Sequence, residues 1–502
     1  MNGFDESPGI AAGAVARTMT TVIVALASVI VMALAGCANP RGIESSATLA
    51  APAAFGVDPA ASAASAAAVA PVAADWWRGF DDPVLADLIE RATAGSPTLR
   101  VAAARAARAA ANVDSAHAAE GPQLNGALDV TWQRFTENSL YPPPLAGTKQ
   151  TTATAQLNGS WELDLFGRNR ALLDAAIGSE RAARADADAA RVLLAVNVAR
   201  TYVQLTRVVE QREVLQRALA QREEMFSLTR QRVSAGLDTA VELRQSEGLR
   251  PETRQQIEAV EEQIALTRHA LAALLAEPPQ RFDTLAPKLT TLRPVAIPDV
   301  VPADLVGRRA DVLAARWRVE AAAGDVAAQR AQFYPNVNLV AFVGLSTLGL
   351  ERLINTGSQQ YGIGPAIRLP IFDAGRLRAG LRGRTADLDG AVETYNATLV
   401  DAIHDVADQI SSTRSVVRQQ SEQAAAQTSA EAAYDLATQR YRAGLGGYLT
   451  VLNAESNVIA QRRLTTDLRA RAIDSQMLLV RALGGGYVAS PEAQKLASAG
   501  AL

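Results

Sequence analysis

The sequence predicts a mainly α-helical protein that also carries a membrane β-barrel. Long coiled-coil helices would form one barrel, and three chains would share the strands of the other. Three observations predict this fold class: the chain repeats its own motifs, four segments alternate apolar and polar residues, and two very long stretches lack proline. Together they indicate two internal repeats per chain, each ordered helix, two strands, long helix, shorter helix.

The internal repeat rests on two motif pairs. Leu-Asp-Leu-Phe-Gly-Arg at 163–168 returns as Leu-Pro-Ile-Phe-Asp-Ala-Gly-Arg at 369–376. Gln-Arg-Val-Ser-Ala-Gly-Leu at 231–237 returns as Gln-Arg-Tyr-Arg-Ala-Gly-Leu at 439–445. Both pairs are offset by 208 positions, which is too long for a solenoid unit and indicates a duplicated half-molecule.

The N-terminal segment has the pattern of an export signal. Val22 through Ala35 is apolar apart from one serine and is too short to span a membrane comfortably. Leu-Ala-Gly then precedes Cys37, the only cysteine among the 502 residues. This arrangement resembles a bacterial lipoprotein cleavage box and predicts a covalent lipid on Cys37. The alternative is an ordinary signal peptide with a chance cysteine.

Composition and motifs exclude several classes of function. The net charge of −3 and the pI near 5.9 argue against nucleic acid as a partner. The three histidines, His117, His269 and His404, are isolated, and paired cysteines and phosphate-binding loops are absent. We therefore expect neither an enzyme nor a metal site, and no cofactor other than the lipid.

Four segments alternate in hydrophobicity with a period of two, as strands with unlike faces do. Val340 and Phe342 interrupt the polar face of the third. For one such strand, a soluble antiparallel sheet with one wet face would be the better interpretation. For four of them, an apolar face and a polar face over about ten residues indicate strands of a membrane barrel. The segments are 124–133, 152–163, 336–343 and 360–371.

Four strands are too few to close a barrel. Their open edges would be costly in lipid, because backbone groups there lack hydrogen-bond partners. The flanking helices consist mostly of alanine and arginine and offer no face that could cover four apolar strand surfaces. We therefore expect three copies of the chain to close one twelve-stranded barrel.

Two stretches of 68 residues, Arg168–Ala235 and Arg376–Ala443, contain no proline and predict helices about 100 Å long. Apolar residues in the second stretch recur every three or four positions, as in coiled coils.

Shorter helices are predicted at 84–119, 238–276, 303–332 and 447–483. Two short helices stacked end to end nearly match one long helix. Three chains would then form a hollow cylinder that extends far beyond a bilayer of about 30 Å, into the periplasm.

These predictions divide the chain into six segments. They are a signal peptide (1–36), a lipid anchor with tether and equatorial segment (37–83), a first repeat (84–276), an equatorial linker (277–302), a second repeat (303–483) and a C-terminal tail (484–502).

Further motifs carry a family resemblance that covers roughly residues 37–485. They are Trp161–Arg168, Pro370–Arg376, the two Ala-Gly-Leu turns, Asp75–Trp77 followed by Phe80, Asp82 and Pro83, and Arg308–Val312, in which Ala310 departs from the usual proline. The chain resembles the TolC-like outer-membrane efflux proteins, specifically the NodT-type lipoproteins of tripartite resistance–nodulation–division systems. The resemblance implies a homotrimer in outer-membrane lipid, joined to a periplasmic adaptor protein and an inner-membrane transporter.

The resemblance also implies roles for two groups of residues. The turns at Gly236–Leu237 and Gly444–Leu445 would be the periplasmic tips that dock the adaptor. Polar residues just past each tip would narrow the tunnel: Glu242, Gln245, Thr450 and Asn453. Glu242 would have Arg244 as its partner, and the alternative is a solvated helix face.

The sequence therefore predicts a passive exit duct for drugs or other small molecules, carrying them from the periplasm to the exterior. Because no motif here binds a nucleotide, a partner must supply the energy. Two alternatives stay open: an outer-membrane duct of a type I protein secretion system, and a non-conducting, lipid-anchored coiled-coil scaffold.

Overall fold

A computed structural model of the chain describes residues 40–51, 55, 72–138, 140–292 and 308–492. Several predicted features lie outside these residues. They are the signal peptide with Cys37, most of the tether, the end of the linker (293–302), the start of the second repeat and of its first predicted helix (303–307), and the end of the C-terminal tail (493–502).

Helices dominate the described residues. The two longest, α3 and α6, both contain 67 residues and begin where the sequence predicts. None of the described helices is both long and apolar enough to cross a membrane. In chain order the helices are α1 (Pro83–Gly95), α2 (Pro97–Ala118), α3 (Arg168–Ser234), α4 (Ala240–Leu275), α5 (Ala310–Ala331), α6 (Arg376–Arg442) and α7 (Tyr448–Ala482).

The prediction of one helix from Val84 to Ala119 is wrong, because a break separates α1 from α2. The Asp82 carboxylate caps α1 by accepting the Val84 and Leu85 amides at 2.9 and 3.1 Å. The helix ends before Ser96, whose backbone is extended at ψ 125°. A residue before proline disfavours the helical conformation, and Pro97 is then well suited to begin the next helix.

Four strands form one antiparallel sheet in the order β1-β2-β3-β4. The chain thus pairs its two hairpins with each other, through β2 and β3. The strands are β1 (Gln123–Arg134), β2 (Lys149–Leu163), β3 (Asn336–Leu348) and β4 (Gln359–Arg368).

Three strand boundaries differ from the prediction by three or more residues. The second strand begins at Lys149, three residues before Thr152. The third strand continues five residues beyond Val343, and the fourth ends at Arg368, three residues before Ile371. Pro370 has no amide hydrogen for a strand ladder, so the alternation of Leu369 and Ile371 does not extend the pairing. Pro365 is tolerated within β4 because β4 is an outer strand of the sheet formed by the described residues.

The chain divides into two compact units, and each contains part of both long helices. Unit 1 comprises residues up to Thr48, Arg108–Glu180 and Trp317–Glu393, and therefore contains the sheet. Unit 2 comprises Leu49–Ala107, Arg181–Arg316 and Thr394 onward, and contains the turns that follow α3 and α6.

In unit 1, helices α3 and α5 approach closely through small residues. A Cβ atom placed on Gly178 would lie 2.9 Å from the backbone nitrogen of Ala321. A Cβ atom on Gly324 would lie 2.9 Å from the backbone nitrogen of Ala175. The alanine-rich composition thus permits backbone contact that larger side chains would prevent. In exchange, each of these small residues buries little apolar area.

In unit 2, a buried polar junction lies within the main apolar core. The second carboxylate oxygen of Asp82 accepts the hydroxyls of Tyr202 at 2.9 Å and Thr291 at 2.8 Å. Burial, together with the neighbouring carboxylate, raises the pKa of Tyr202. Asp82 therefore joins α1, α3 and the segment after α4. The apolar side chains of this core include Trp76, Trp77, Phe80, Leu85, Ile89, Leu205, Ile264, Leu271, Phe282 and Leu292.

Candidate functional site

The sheet of unit 1 presents an apolar face that the described residues of this unit leave uncovered. Its register places Leu128 opposite Ala155, and Leu157 opposite Val343, which itself lies opposite Tyr361. Leu128 is 69% exposed and Tyr361 82% exposed. The predicted alternation is therefore correct in register across all four strands. An apolar surface of this extent marks contact with lipid or with another protein. Other exposed members are Leu124, Val130, Trp132, Trp161, Ile363 and Ile367.

The opposite face of the sheet is polar and hydrogen-bonded. The Gln360 amide donates to Gln156 Oε1 at 3.0 Å, and Gln156 donates to Asn158 Oδ1 at 2.9 Å. Phe342 lies among these residues, as the sequence pattern indicated. Its ring occupies the space beside Gly362, where a Cβ atom would come within 2.7 Å of it.

Both outer strands have an open edge within the described residues. β1 pairs only with β2, and β4 pairs only with β3. An open strand edge presents unpaired N–H and C=O groups and is a template for pairing with another chain.

In unit 2, the turns after α3 and α6 have the same backbone structure. Leu237 N donates to Arg232 O at 2.9 Å, and Leu445 N donates to Arg440 O at 2.8 Å. Gly236 and Gly444 have φ angles of 72° and 73°, a left-handed conformation that glycine adopts without steric cost. Each turn is thus a Schellman C-cap. Leu237 and Leu445 are 64% and 70% exposed, so each turn presents a leucine to solvent.

A polar cluster that the sequence analysis missed links the two turns. Arg232 Nε donates to Asp238 Oδ2 at 2.9 Å, and the Tyr441 hydroxyl donates to the same oxygen at 2.6 Å. The Arg232 guanidinium also lies 4.6 Å from the centroid of the Tyr441 ring. The hydrogen bond from Arg232 lowers the pKa of Asp238, whereas burial and then Asp238 raise the pKa of Tyr441. The position of Asp238, directly after the turn leucine, was the available signal in the sequence.

Two of the predicted constriction residues, Glu242 and Thr450, lie in the first turns of helices. The other two, Gln245 and Asn453, lie farther along these helices. Glu242 accepts the Thr239 amide at 3.0 Å and the Thr239 hydroxyl, in a capping box at the start of α4. The bond with the Thr239 hydroxyl is the main reason why the pKa of Glu242 is lowered. Thr450, in the first turn of α7, is exposed, as are Gln245 and Asn453.

Within one chain, Glu242 and Arg244 do not form the predicted pair. Arg244 Nη1 instead contacts Glu247 Oε2 at 2.6 Å. Successive side chains on a helix point in different directions, and residues two apart do not face each other. Residues three apart do face each other. This spacing makes Glu247 the partner of Arg244 and Thr239 the partner of Glu242.

Farther from the turns, a buried ion pair joins three helices. Arg222 on α3 contacts Glu455 on α7 at 3.3 Å and donates to the Thr253 hydroxyl on α4 at 2.7 Å. Glu455 is 6% exposed, and its Oε1 atom has no hydrogen-bond partner among the described residues. Burial raises the pKa of Glu455, and Arg222 opposes that rise only in part.

A cavity of about 510 Å³ lies in unit 1 where the strands meet the helices, and we call it the base cavity. Glu162 and Arg168 contact each other at 3.2 Å on its wall. Asp164 accepts the Arg170 amide at 2.9 Å and so fixes the first turn of α3. The other charged side chains that line the base cavity are Arg368 and Arg376.

The remaining family-like motif is structural. Arg309 contacts Asp311 at 2.7 Å and Asp405 at 3.2 Å, and it donates to the Ala482 carbonyl at 3.2 Å. It thereby joins the start of α5 to α6 and α7 within unit 2. Across the described ranges, His, Cys, Asp and Glu side chains form no group of three or more suited to hold a metal ion.

Comparison with known proteins relates this fold to outer-membrane efflux. The family model described as "Outer membrane efflux protein" matches residues 88–277 and 301–485. The chain is 32% identical to the multidrug resistance outer membrane protein MdtQ of Escherichia coli, over 82% of this chain and 88% of that protein. It is 39% identical to the fusaric acid resistance protein FusA of Burkholderia cepacia, over 62% of this chain and 60% of that protein.

Solved structures give the same relation. The outer membrane protein VceC of Vibrio cholerae has a TM-score of 0.79 and 34% identity, covering 83% of this chain and all of that one. The outer-membrane channel OprN has a TM-score of 0.78 and 25% identity, covering 89% of this chain and 98% of that one. The predicted resemblance and the predicted role in outer-membrane efflux are thus confirmed. The chain belongs to the outer membrane efflux protein family.

Proposed function

We propose that three copies of this chain form the exit channel of a tripartite efflux pump in the outer membrane. The uncovered apolar face of a sheet with two open edges carries this proposal. In lipid, each unpaired edge is costly, so the sheet is stable there only when other chains pair with β1 and β4. Three copies supply twelve strands with apolar residues outward and the Gln156–Gln360 face inward.

The proposed cargo is drugs or other small organic molecules. This agrees with the names of the relatives, which refer to multidrug and fusaric acid resistance. A periplasmic adaptor and an inner-membrane transporter would complete the pump and supply its energy. A lipid on Cys37 would anchor the chain to the outer membrane.

The mass of the detergent-extracted protein tests the shared barrel. Light scattering corrected for bound detergent should give three chains, and the same sample should form conducting pores in planar bilayers. A stable, folded monomer would contradict the proposal, because its sheet would keep both edges unpaired.

The two turn leucines are the proposed docking points for the adaptor. Leu237→Ser and Leu445→Ser together should abolish drug resistance in cells while leaving the trimer and its conductance intact, since both side chains are already exposed. Leu266→Ser, which changes an exposed leucine elsewhere on α4, is the matched control. Full resistance in the double variant would rule out this docking role.

The polar residues past the turns are the proposed constriction of the closed tunnel. Glu242, three copies around the axis, would narrow it together with Gln245, Thr450 and Asn453. Glu242→Ala should therefore raise the conductance of the closed channel. Glu247→Ala, which removes the exposed partner of Arg244, should not. Equal conductance of Glu242→Ala and the unaltered channel would exclude Glu242 from the constriction.

A further inference from the structure

We propose that the base cavity binds aromatic carboxylates as they pass through the channel. This inference rests on the proposed export of small molecules and names the chemical class that one site in the duct would recognise. The cavity lies within unit 1 and receives polar residues from the hydrogen-bonded face of the sheet, including Glu162, Asn338 and Arg368.

The charges in the base cavity leave cationic groups in excess. Both of its carboxylates are engaged, Glu162 with Arg168 and Asp164 with the Arg170 amide. Within the described part of the chain, the guanidinium groups of Arg368 and Arg376 make no ion pair or hydrogen bond. A guanidinium forms paired hydrogen bonds to a carboxylate more readily than to any neutral group. Two such groups line the cavity, and both are exposed and therefore available to an anion.

A buried donor in the same place also lacks a partner. Arg168 Nε is shielded from solvent and makes no hydrogen bond with any described residue, although its Nη1 atom holds Glu162. A buried donor without an acceptor costs free energy. An anion in the cavity meets this donor only when the Arg168 side chain rotates to expose its Nε atom.

An aromatic pair lies beside these cations. The rings of Phe166 and Tyr334 stack at 5.0 Å with an angle of 9° between their planes, and both line the cavity. They are 45% and 50% exposed, so each retains a free ring surface. Leu165 and Leu369 add apolar wall. This combination favours an aromatic acid over a small inorganic anion, because the ring gains stacking contacts while the carboxylate meets arginine.

Benzoate is the probe for the first test. Its binding to the purified full-length protein in detergent can be measured by saturation-transfer NMR and by calorimetry. The double variant Arg368→Gln with Arg376→Gln should bind benzoate about tenfold more weakly, because charge-assisted hydrogen bonds are lost. The double Lys variant should recover part of the affinity. Arg382→Gln is the matched control, since Arg382 is exposed on α6 outside the cavity.

Three further probes test the chemical class. Acetate should bind more weakly than benzoate because it lacks the ring, and the aromatic cation benzamidine should not bind. If phosphate bound as tightly as benzoate, the assignment to aromatic acids would be overturned. Equal benzoate affinity in the double Gln variant and the unaltered protein would overturn the site itself.

Conductance separates this inference from the proposed function. Pores that conduct but bind benzoate independently of Arg368 and Arg376 would contradict only the site. Protein that binds benzoate through these arginines but forms neither trimers nor pores would contradict only the channel. Circular dichroism of each variant identifies any loss that comes from misfolding.

Discussion

The turns after α3 and α6 have the same backbone conformation but are stabilised by different side chains. Each ends in a left-handed glycine and an exposed leucine. After the first turn, Asp238 holds Arg232, and Thr239 with Glu242 caps α4. After the second turn, Gly447 is the N-cap residue of α7 and provides no side-chain hydrogen bond. A C-cap therefore needs only its glycine and hydrogen bonds, and the support around it is free to diverge.

The second turn compensates by burying aromatic rings. Tyr441 and Tyr448 have ring centroids 6.0 Å apart, and both lie in an apolar cluster with Met225 and Val451. Tyr441 also reaches the first turn through Asp238. The first turn thus depends mainly on charge and capping, and the second on burial, with one hydroxyl joining them.

The largest effect should follow from removing the aromatic support of the second turn. Tyr441→Ala should lower the free energy of unfolding by about 4 kcal/mol, because it leaves a cavity in a closed cluster. Tyr441→Phe should cost only about 1 kcal/mol, since it removes just the hydrogen bonds to Asp238 and Thr229. Denaturant titration followed by circular dichroism gives both values. Equal losses would mean that the hydroxyl, and not the ring, supports this turn.

The ion pair beneath both turns should give the next largest effect. Arg222→Gln should cost about 3 kcal/mol near neutral pH, because Glu455 is then buried without a countercharge. Burial raises the pKa of Glu455, so its ionised form opposes folding and protonation relieves that cost. The stability of Arg222→Gln should therefore increase as the pH falls from 8 towards 5, more steeply than that of the unaltered protein. Glu455→Gln, the control, should lack this slope.

The charge at the first turn should have a smaller, pH-dependent effect. Asp238→Asn should cost about 1.5 kcal/mol at neutral pH, through weaker bonds to Arg232 and Tyr441. Because the folded protein lowers the pKa of Asp238, its contribution exists above the unfolded pKa and is lost as the pH falls through the folded value. The melting temperatures of the two proteins should thus begin to converge below about pH 4 and coincide only below the folded pKa of Asp238. A constant difference down to pH 2 would contradict this account.

The caps should give the smallest effects, with opposite signs at the two turns. Thr239→Ala should destabilise α4 by about 1 kcal/mol through loss of the capping box. Gly447→Ser should stabilise α7 by about 0.3 kcal/mol, because its backbone is extended and nothing lies within 4 Å of an added Cβ. Melting temperatures of the two variants provide the test. A destabilised Gly447→Ser would show that the second turn requires glycine for another reason.

The sequence by itself determined the features that depend on local periodicity and local backbone chemistry. Alternation predicted all four strands, and the absence of proline predicted both long helices from their first residue. The Ala-Gly-Leu motifs predicted both turns, because a helix that ends in a left-handed residue favours glycine. The break at Ser96 has an equally local cause, because Pro97 disfavours the helical conformation in the residue before it.

The tertiary structure decided which distant groups meet. Arg222 meets Glu455, which is 233 residues away in the chain. Asp238 accepts hydrogen bonds from Arg232 and from Tyr441, which is 203 residues away in the chain. The base cavity collects Arg168, Arg368 and Arg376 from separate segments. Such encounters depend on packing between elements, and periodicity along one element carries no information about them.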